Sequence, residues 1–134
     1  MIYAIDSDIL SYMVKDDRNI QANFNKLLNN DDFYCIPPLV YYEVKRGLTY
    51  LNATAKLRLF EKFYQGSIQN DMMTKDIWDK SIEIYGMLKA TGRTIGDGDI
   101  FIASFCIVNG YTLVSNNGKH YQYIPELKTV NIVR

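Results

Sequence analysis

Short apolar runs alternate with stretches of helical periodicity along the whole chain. Residues 2–5 (IYAI), 33–36 (FYCI) and 111–115 (YTLVS) read as buried strands bounded by polar or turn-forming residues. Residues 67–70 (SIQN) read as a weaker strand, and residues 130–133 as a short final one. Residues 8–14 and 17–30 read as two helical pieces, broken near Asp16 and Asp17. Pro37 and Pro38 stop the second strand and open a helix that passes through Gly47 to about Leu51, since proline is tolerated in a first turn. A further helix, 53–64, ends at Gly66. The longest helix, 74–91, has Thr74 to cap its start and Gly92 to end it. Ile77, Ile84 and Leu88 fall on one face of it, with Trp78, Ile82 and Tyr85 beside them. Another helix starts at Asp97 or Gly98, is apolar on most faces to about Val108, and ends at Gly110.

Strands alternating with helices predict an α/β fold with a small, mainly parallel sheet, helices on both faces and right-handed crossovers. One domain spanning 1–134 is expected, with no repeat or linker. Such sheets carry their sites outside the carboxyl ends of the strands. Chemistry is therefore sought at Asp6 to Asp8, after Ile36, and at Ser115 to Asn117.

Composition narrows the function. Apolar residues make up 48% of the 134, enough for a real core. Lys and Arg number 15 and so do Asp and Glu, which leaves no net charge to coat nucleic acid by bulk electrostatics. An enzyme that handles RNA through local basic residues and metal ions is still allowed. Cys35 and Cys106 sit in apolar segments without CxxC spacing, as buried reduced thiols do. No apolar run approaches the ~20 residues of a membrane span. The first residues lack a basic flank and a cleavage site, so a cytoplasmic location is expected.

The acids are the informative feature. Asp6 and Asp8 follow the first strand, and Asp97 and Asp99 open the apolar helix in TIGDGDIFIAS. Helix capping explains any one of them. It does not explain D-x-D at two separate element ends. In a doubly wound fold both pairs can face one crevice, where close carboxylates repel unless some take up protons or a cation relieves them. Mg²⁺ or Mn²⁺, with their preference for oxygen ligands, suit that role. Glu43, about one and a half turns into the helix after strand two, is a third candidate, although pairing with Lys45 or Arg46 would also account for it.

Several chemistries are excluded by spacing. Phe101 stands where an EF-hand would need an oxygen ligand, and no G-K-[ST] follows the glycines near 96. His120 is the single histidine, which rules out a histidine cluster.

The ordered blocks resemble PIN-domain proteins, in particular VapC-type toxin ribonucleases. They are Asp6-Ser7-Asp8-Ile9-Leu10 after the strand, Glu43 with Gly47, Ile95 to Ala103 around Asp99, and Gly110 to Asn117 followed by Tyr121. The resemblance implies that Asp6, Glu43 and Asp99 are the core acids of a metal-dependent endoribonuclease. Asp6 and Asp99 would be direct Mg²⁺ (or Mn²⁺) ligands, Asp97 an accessory acid, and Ser7 a hydroxyl orienting Asp6 or a water. Asn117 replaces the acid many relatives carry there, and weakens any second metal. His120 stands where related toxins often carry an acid and is a candidate for substrate phosphate. Asp8 occupies a position where relatives carry Asn or Ser as readily.

Lys45, Arg46 and Arg93 are candidates for the RNA backbone. The resemblance also implies an RNA substrate, with tRNA the first guess, a VapB-type antitoxin partner and a homodimer. Two alternatives stay open. A haloacid-dehalogenase-type phosphatase would use Asp6 as nucleophile, but Leu10 stands where that motif wants Thr. A non-catalytic PIN module would bind RNA or protein without cutting, a reading that only Asn117 favours.

Overall fold

The chain is described over residues 1–133 by a computed structural model. Four strands form one sheet: β1 (Ile2–Ile5), β2 (Phe33–Cys35), β3 (Thr112–Val114) and β4 (Thr129–Val130). Their order is β2-β1-β3-β4 and every pairing is parallel. Central parallel strands are covered on both faces, so they read as continuous apolar runs. Ala4, Ile5, Leu113 and Val114 are accordingly all shut off from solvent.

Seven helices complete the fold among the described residues: α1 (Ser7–Val14), α2 (Arg18–Leu27), α3 (Pro38–Tyr50), α4 (Thr54–Gln65), α5 (Lys75–Ala90), α6 (Asp97–Asn109) and α7 (Gly118–Tyr121). Their ends follow local chemistry. Pro38 opens α3 where a missing N–H costs nothing. Asp16 takes a positive φ of 61° between α1 and α2, and Asp17 caps α2 through the Ile20 amide at 3.1 Å. Gly110, at φ 72°, closes α6 in the left-handed conformation that glycine reaches without strain.

β2 lies on one side of β1, and β3 and β4 lie on the other. The connections thus leave in opposite directions, and right-handed crossovers put their helices on opposite faces. A crevice is left outside the carboxyl ends of β1 and β3. These ends coincide: Ile5 pairs with Val114, and the Asp6 amide donates to the Val114 carbonyl at 2.9 Å.

Some elements differ from the sequence expectation. Residues 67–70 form only an isolated bridge, Cys35 with Ile68, because the flanking Ser, Gln and Asn offer no apolar face to extend it. α2 stops at Leu27, short of residue 30, where the Asp32 side chain takes the Asn29 amide and competes with the helix. The last strand is Thr129–Val130, not 130–133, since the Asn131 side chain turns the chain by accepting from the Val133 amide. On α5, Ile77, Ile84 and Leu88 are buried, whereas Trp78, Ile82 and Tyr85 are exposed. Cys35 and Cys106 are buried free thiols, pushed upward in pKa by that burial. No helix among the described residues is long and apolar enough to cross a membrane.

Candidate active site

Asp6 leaves β1 directly into the crevice and is only 4% exposed. Its Oδ1 accepts from the Ser7 amide at 2.9 Å, and its Oδ2 accepts from Ser115 Oγ at 2.7 Å. Burial pushes the carboxyl up to about 6 and the charges of Asp8 and Asp99 push the same way, against the pull of Ser115 and the Ser7 amide. Asp8 is pinned in turn. Its Oδ1 takes the Ile9 amide at 2.7 Å and its Oδ2 the Asn116 amide at 3.0 Å, so it ties the start of α1 to the loop after β3. Burial raises its pKa as well.

Glu43 arrives from α3, and its Oε1 accepts from Ser7 Oγ at 2.9 Å. Lys45, its expected alternative partner, pairs instead with Glu61 at 2.8 Å. α6 starts close by: a Cβ on Gly98 would stand 3.4 Å from Glu43 Oε2 and 3.5 Å from Leu39. The first turn of α6 thus lies against Glu43 and Leu39 of α3 at ordinary van der Waals range.

Asp99, in the first turn of α6, is held by α7 and the residue before it. Its Oδ2 lies 2.7 Å from His120 Nδ1 and 3.5 Å from Asn117 Nδ2, and its Oδ1 accepts from the Tyr121 hydroxyl at 3.3 Å. The same Nδ1 lies 2.9 Å from Asn117 Nδ2, so it donates to Asp99 or accepts from Asn117 according to the imidazole tautomer. The Tyr121 hydroxyl is pushed upward in pKa by burial and by the Asp6 and Asp99 charges, which keeps it a donor at neutral pH.

Asp6, Ser7, Asp8, Glu43, Asp99, Asn116 and Asn117 line one cleft of about 400 Å³. Among the described residues, no three His, Cys, Asp or Glu side chains already converge as a ready-made metal site. The hydrogen bonds explain this, since Asp6, Asp8, Glu43 and Asp99 are each turned toward a donor of the chain itself.

Four expected site residues lie elsewhere or act differently. Asp97 lines a separate, largely apolar cavity with Trp78 and Phe101. Residues two apart on a helix point about 200° apart, so Asp99 in the cleft sends Asp97 away from it. Arg46 stacks on Tyr42 with its guanidinium carbon 4.9 Å from the ring centre, and Arg93 on Tyr123 at 3.9 Å; neither lines the cleft. Ser7 supports Asp6 through its amide, and its hydroxyl goes to Glu43.

A family model described as the PIN domain matches residues 3–124. The chain belongs to the PIN-domain family. This PIN domain is 29% identical over 134 residues to Ribonuclease VapC2 of Rickettsia felis, with 95% of each chain covered. It matches the solved structure of VapBC2 from Rickettsia felis bound to a DNA fragment from their promoter, at TM-score 0.84 and 26% identity over 98% of both chains. VapBC-1 from nontypeable Haemophilus influenzae, at TM-score 0.82 and 23% identity over 100% of both chains, shares the fold. The DNA-bound VapBC from Salmonella typhimurium does so too, at TM-score 0.84 and 22% identity over 99% of this chain and 100% of that one. With the PIN family established, the phosphatase alternative falls.

The sequence underweighted part of this site. Asp8 lines the cleft and latches the β3 loop, a role that only its D-x-D spacing hinted at. Ser115, the buried support of Asp6, and Asn116, which lines the cleft and gives its amide to Asp8, fall in the strand-end segment 115–117 where chemistry was sought, but no motif assigned either a role.

Proposed function

We propose that this PIN domain is a divalent-metal-dependent endoribonuclease, the toxin of a toxin–antitoxin pair. That Asp6, Glu43 and Asp99, from three distant segments, line one cleft carries the reading, and the likeness to Ribonuclease VapC2 supports it. The donor set fits a hard cation. It is built of carboxylate and amide oxygens, and the Asp6 carboxyl is pushed toward holding its proton mainly by burial and further by the charges of Asp8 and Asp99. Asp6 and Asp99 would hold Mg²⁺ or Mn²⁺, Glu43 would act through a water, and the Asn117 carbonyl adds an oxygen without charge. When bound, such an ion supplies positive charge to a phosphodiester and acidifies water at the site.

The chain's own residues do the rest. Ser115 and the Ser7 amide fix Asp6. His120, Asn117 and Tyr121 fix Asp99 from both oxygens. Ser7 fixes one oxygen of Glu43, and Oε2 is left to take the proton of the attacking water. In-line attack of that water on phosphorus breaks the P–O3′ bond, and the departing 3′ oxygen takes a proton from solvent, which gives 5′-phosphate and 3′-hydroxyl ends. We take tRNA as the first substrate to test, a small VapB-like antitoxin as the partner that silences the cleft, and the cytoplasm as the place of action. The exposed Trp78, Ile82 and Tyr85 stripe on α5 is the face we assign to a homodimer.

Incubation of purified protein with tRNA and Mg²⁺, followed by sequencing of the ends, tests this reading. Defined internal cuts that disappear in EDTA are expected. RNA that is held but left intact would instead make the domain a binding module.

A further inference from the structure

A second groove opens beside the acidic cleft, between α1, α3 and α4. It holds about 310 Å³ and shares Ser7 and Glu43 with the cleft. Its floor is aliphatic, made by Val14, Val44 and Leu48, with the exposed Leu51 at its edge. Lys15 and Lys56 stand on its exposed rim, and neither forms an ion pair among the described residues.

Gly47 lines this groove one turn after Glu43, inside α3. A Cβ at Gly47 would meet nothing within 4 Å, and its φ is not positive. Neither backbone nor packing demands glycine there, and a helix-interior glycine costs about 1 kcal/mol relative to alanine. What glycine preserves is open volume in the groove.

We propose that this groove is a nucleotide subsite. It takes the base and sugar of a single-stranded RNA residue next to the phosphodiester in the cleft, with Lys15 and Lys56 on the flanking phosphates. The proposal rests on the ribonuclease reading above. A cleft lined by four carboxylates repels RNA, and the chain has no net charge to offset that. Cations beside the cleft must do so locally. Lys45 is paired with Glu61, and Arg46 and Arg93 lie stacked on tyrosines outside the cleft. Lys15 and Lys56 are the unpaired cations on the groove that runs into the cleft at Glu43. The groove's volume stands at the lower end of small-ligand sites, which suits one unstacked nucleotide and not a duplex. An apolar peptide could also use the aliphatic floor, but it would leave both lysines without counter-charge.

The test uses the full chain and random-sequence single-stranded RNA decamers carrying 4-thiouridine. Gly47→Leu fills the groove and should raise KM roughly tenfold with kcat within about twofold of wild type. Gly47→Ala should fold at least as stably and keep KM within about threefold. The Lys15→Gln/Lys56→Gln double variant should flatten the salt dependence of RNA binding by about 0.7 per lost phosphate contact, hence by about 1.4. Photo-crosslinks should map to residues 44–56 in wild type and vanish in Gly47→Leu. Unchanged KM and salt slope in active, folded variants, or crosslinks elsewhere, overturn the subsite and leave the ribonuclease reading standing. Unchanged RNA kinetics together with loss of a copurifying partner protein in Gly47→Leu would assign the groove to that protein instead. A wild-type protein that neither binds nor cuts RNA would remove both readings.

Discussion

Ser7 Oγ donates to Glu43 Oε1 at 2.9 Å, joining the first turn of α1 to α3 across 36 positions of sequence. This bond aims Glu43 into the cleft while the Ser7 amide holds Asp6. Hydrogen bonds to charged groups are worth about 1.5–3 kcal/mol. Ser7→Ala is therefore expected to lower kcat by roughly ten- to a hundredfold in RNA cleavage assays. Ser7→Thr keeps a hydroxyl and should recover most of the loss. Equal kcat for wild type and Ser7→Ala would remove Glu43 from the reaction.

Asp6 makes a stability prediction with a definite sign. Burial pushes its carboxyl up to about 6 in the folded chain, from an ordinary 3.8. Across that window the folded state holds the proton that the unfolded state has lost, so metal-free stability falls as pH rises through it. At neutral pH the cost is of order 1–3 kcal/mol. Asp6→Asn is expected to abolish cleavage and yet raise the melting temperature in EDTA at pH 7, with the gain shrinking toward pH 4. Mg²⁺ or Mn²⁺ should raise the melting temperature of wild type and not of Asp6→Asn. Thermal scans across pH check both. A lower melting temperature for Asp6→Asn at neutral pH would make Asp6 a structural cap and no more.

His120 touches Asp99 from a half-exposed position. Its loss should scarcely change stability, because little of the core depends on it. His120→Ala is expected to weaken Mn²⁺ binding and cleavage by about tenfold through a looser Asp99. Titration calorimetry with Mn²⁺ reads this directly. Binding unchanged in His120→Ala would show that Tyr121 and Asn117 suffice.

Trp78, Ile82 and Tyr85 recur along one exposed face of α5, at 43%, 70% and 50% exposure. A soluble surface rarely shows such a stripe without a partner. Ile82→Lys should convert a dimer to a monomer in sedimentation velocity, with the melting temperature little changed. A monomeric wild type would leave this face to another partner.

The apolar runs at 2–5, 33–36 and 111–115 were enough to place β1, β2 and β3; the central pair, β1 and β3, is buried on both faces and leaves no polar alternation, whereas β2 is an edge strand with Phe33 exposed. Thr74, Asp17 and Gly110 marked helix ends by chemistry that acts locally. Asp6 and the Asn117 loop could be singled out from the sequence as strand ends, because sites in such sheets lie at strand carboxyl ends. Other features depend on tertiary geometry. Which of Asp97 and Asp99 faces the cleft is decided by how α6 lies against α3, and Gly98 shows that contact only once Glu43 is beside it. α7 is a four-residue helix without a side-chain cap, so nothing local announces it, although it carries His120 and Tyr121 to Asp99. The stacking of Arg46 and Arg93 on tyrosines is likewise invisible to charge counting.

Asp99 offers the most direct test. Wild type and Asp99→Asn should be compared in a single-turnover assay on tRNA with Mg²⁺, each with and without EDTA. Metal-dependent internal cleavage by wild type is expected, with loss of about a thousandfold or more in Asp99→Asn at an unchanged fold. Cleavage by Asp99→Asn at the wild-type rate, or by wild type undiminished in EDTA, would contradict a metal-dependent ribonuclease built on these acids.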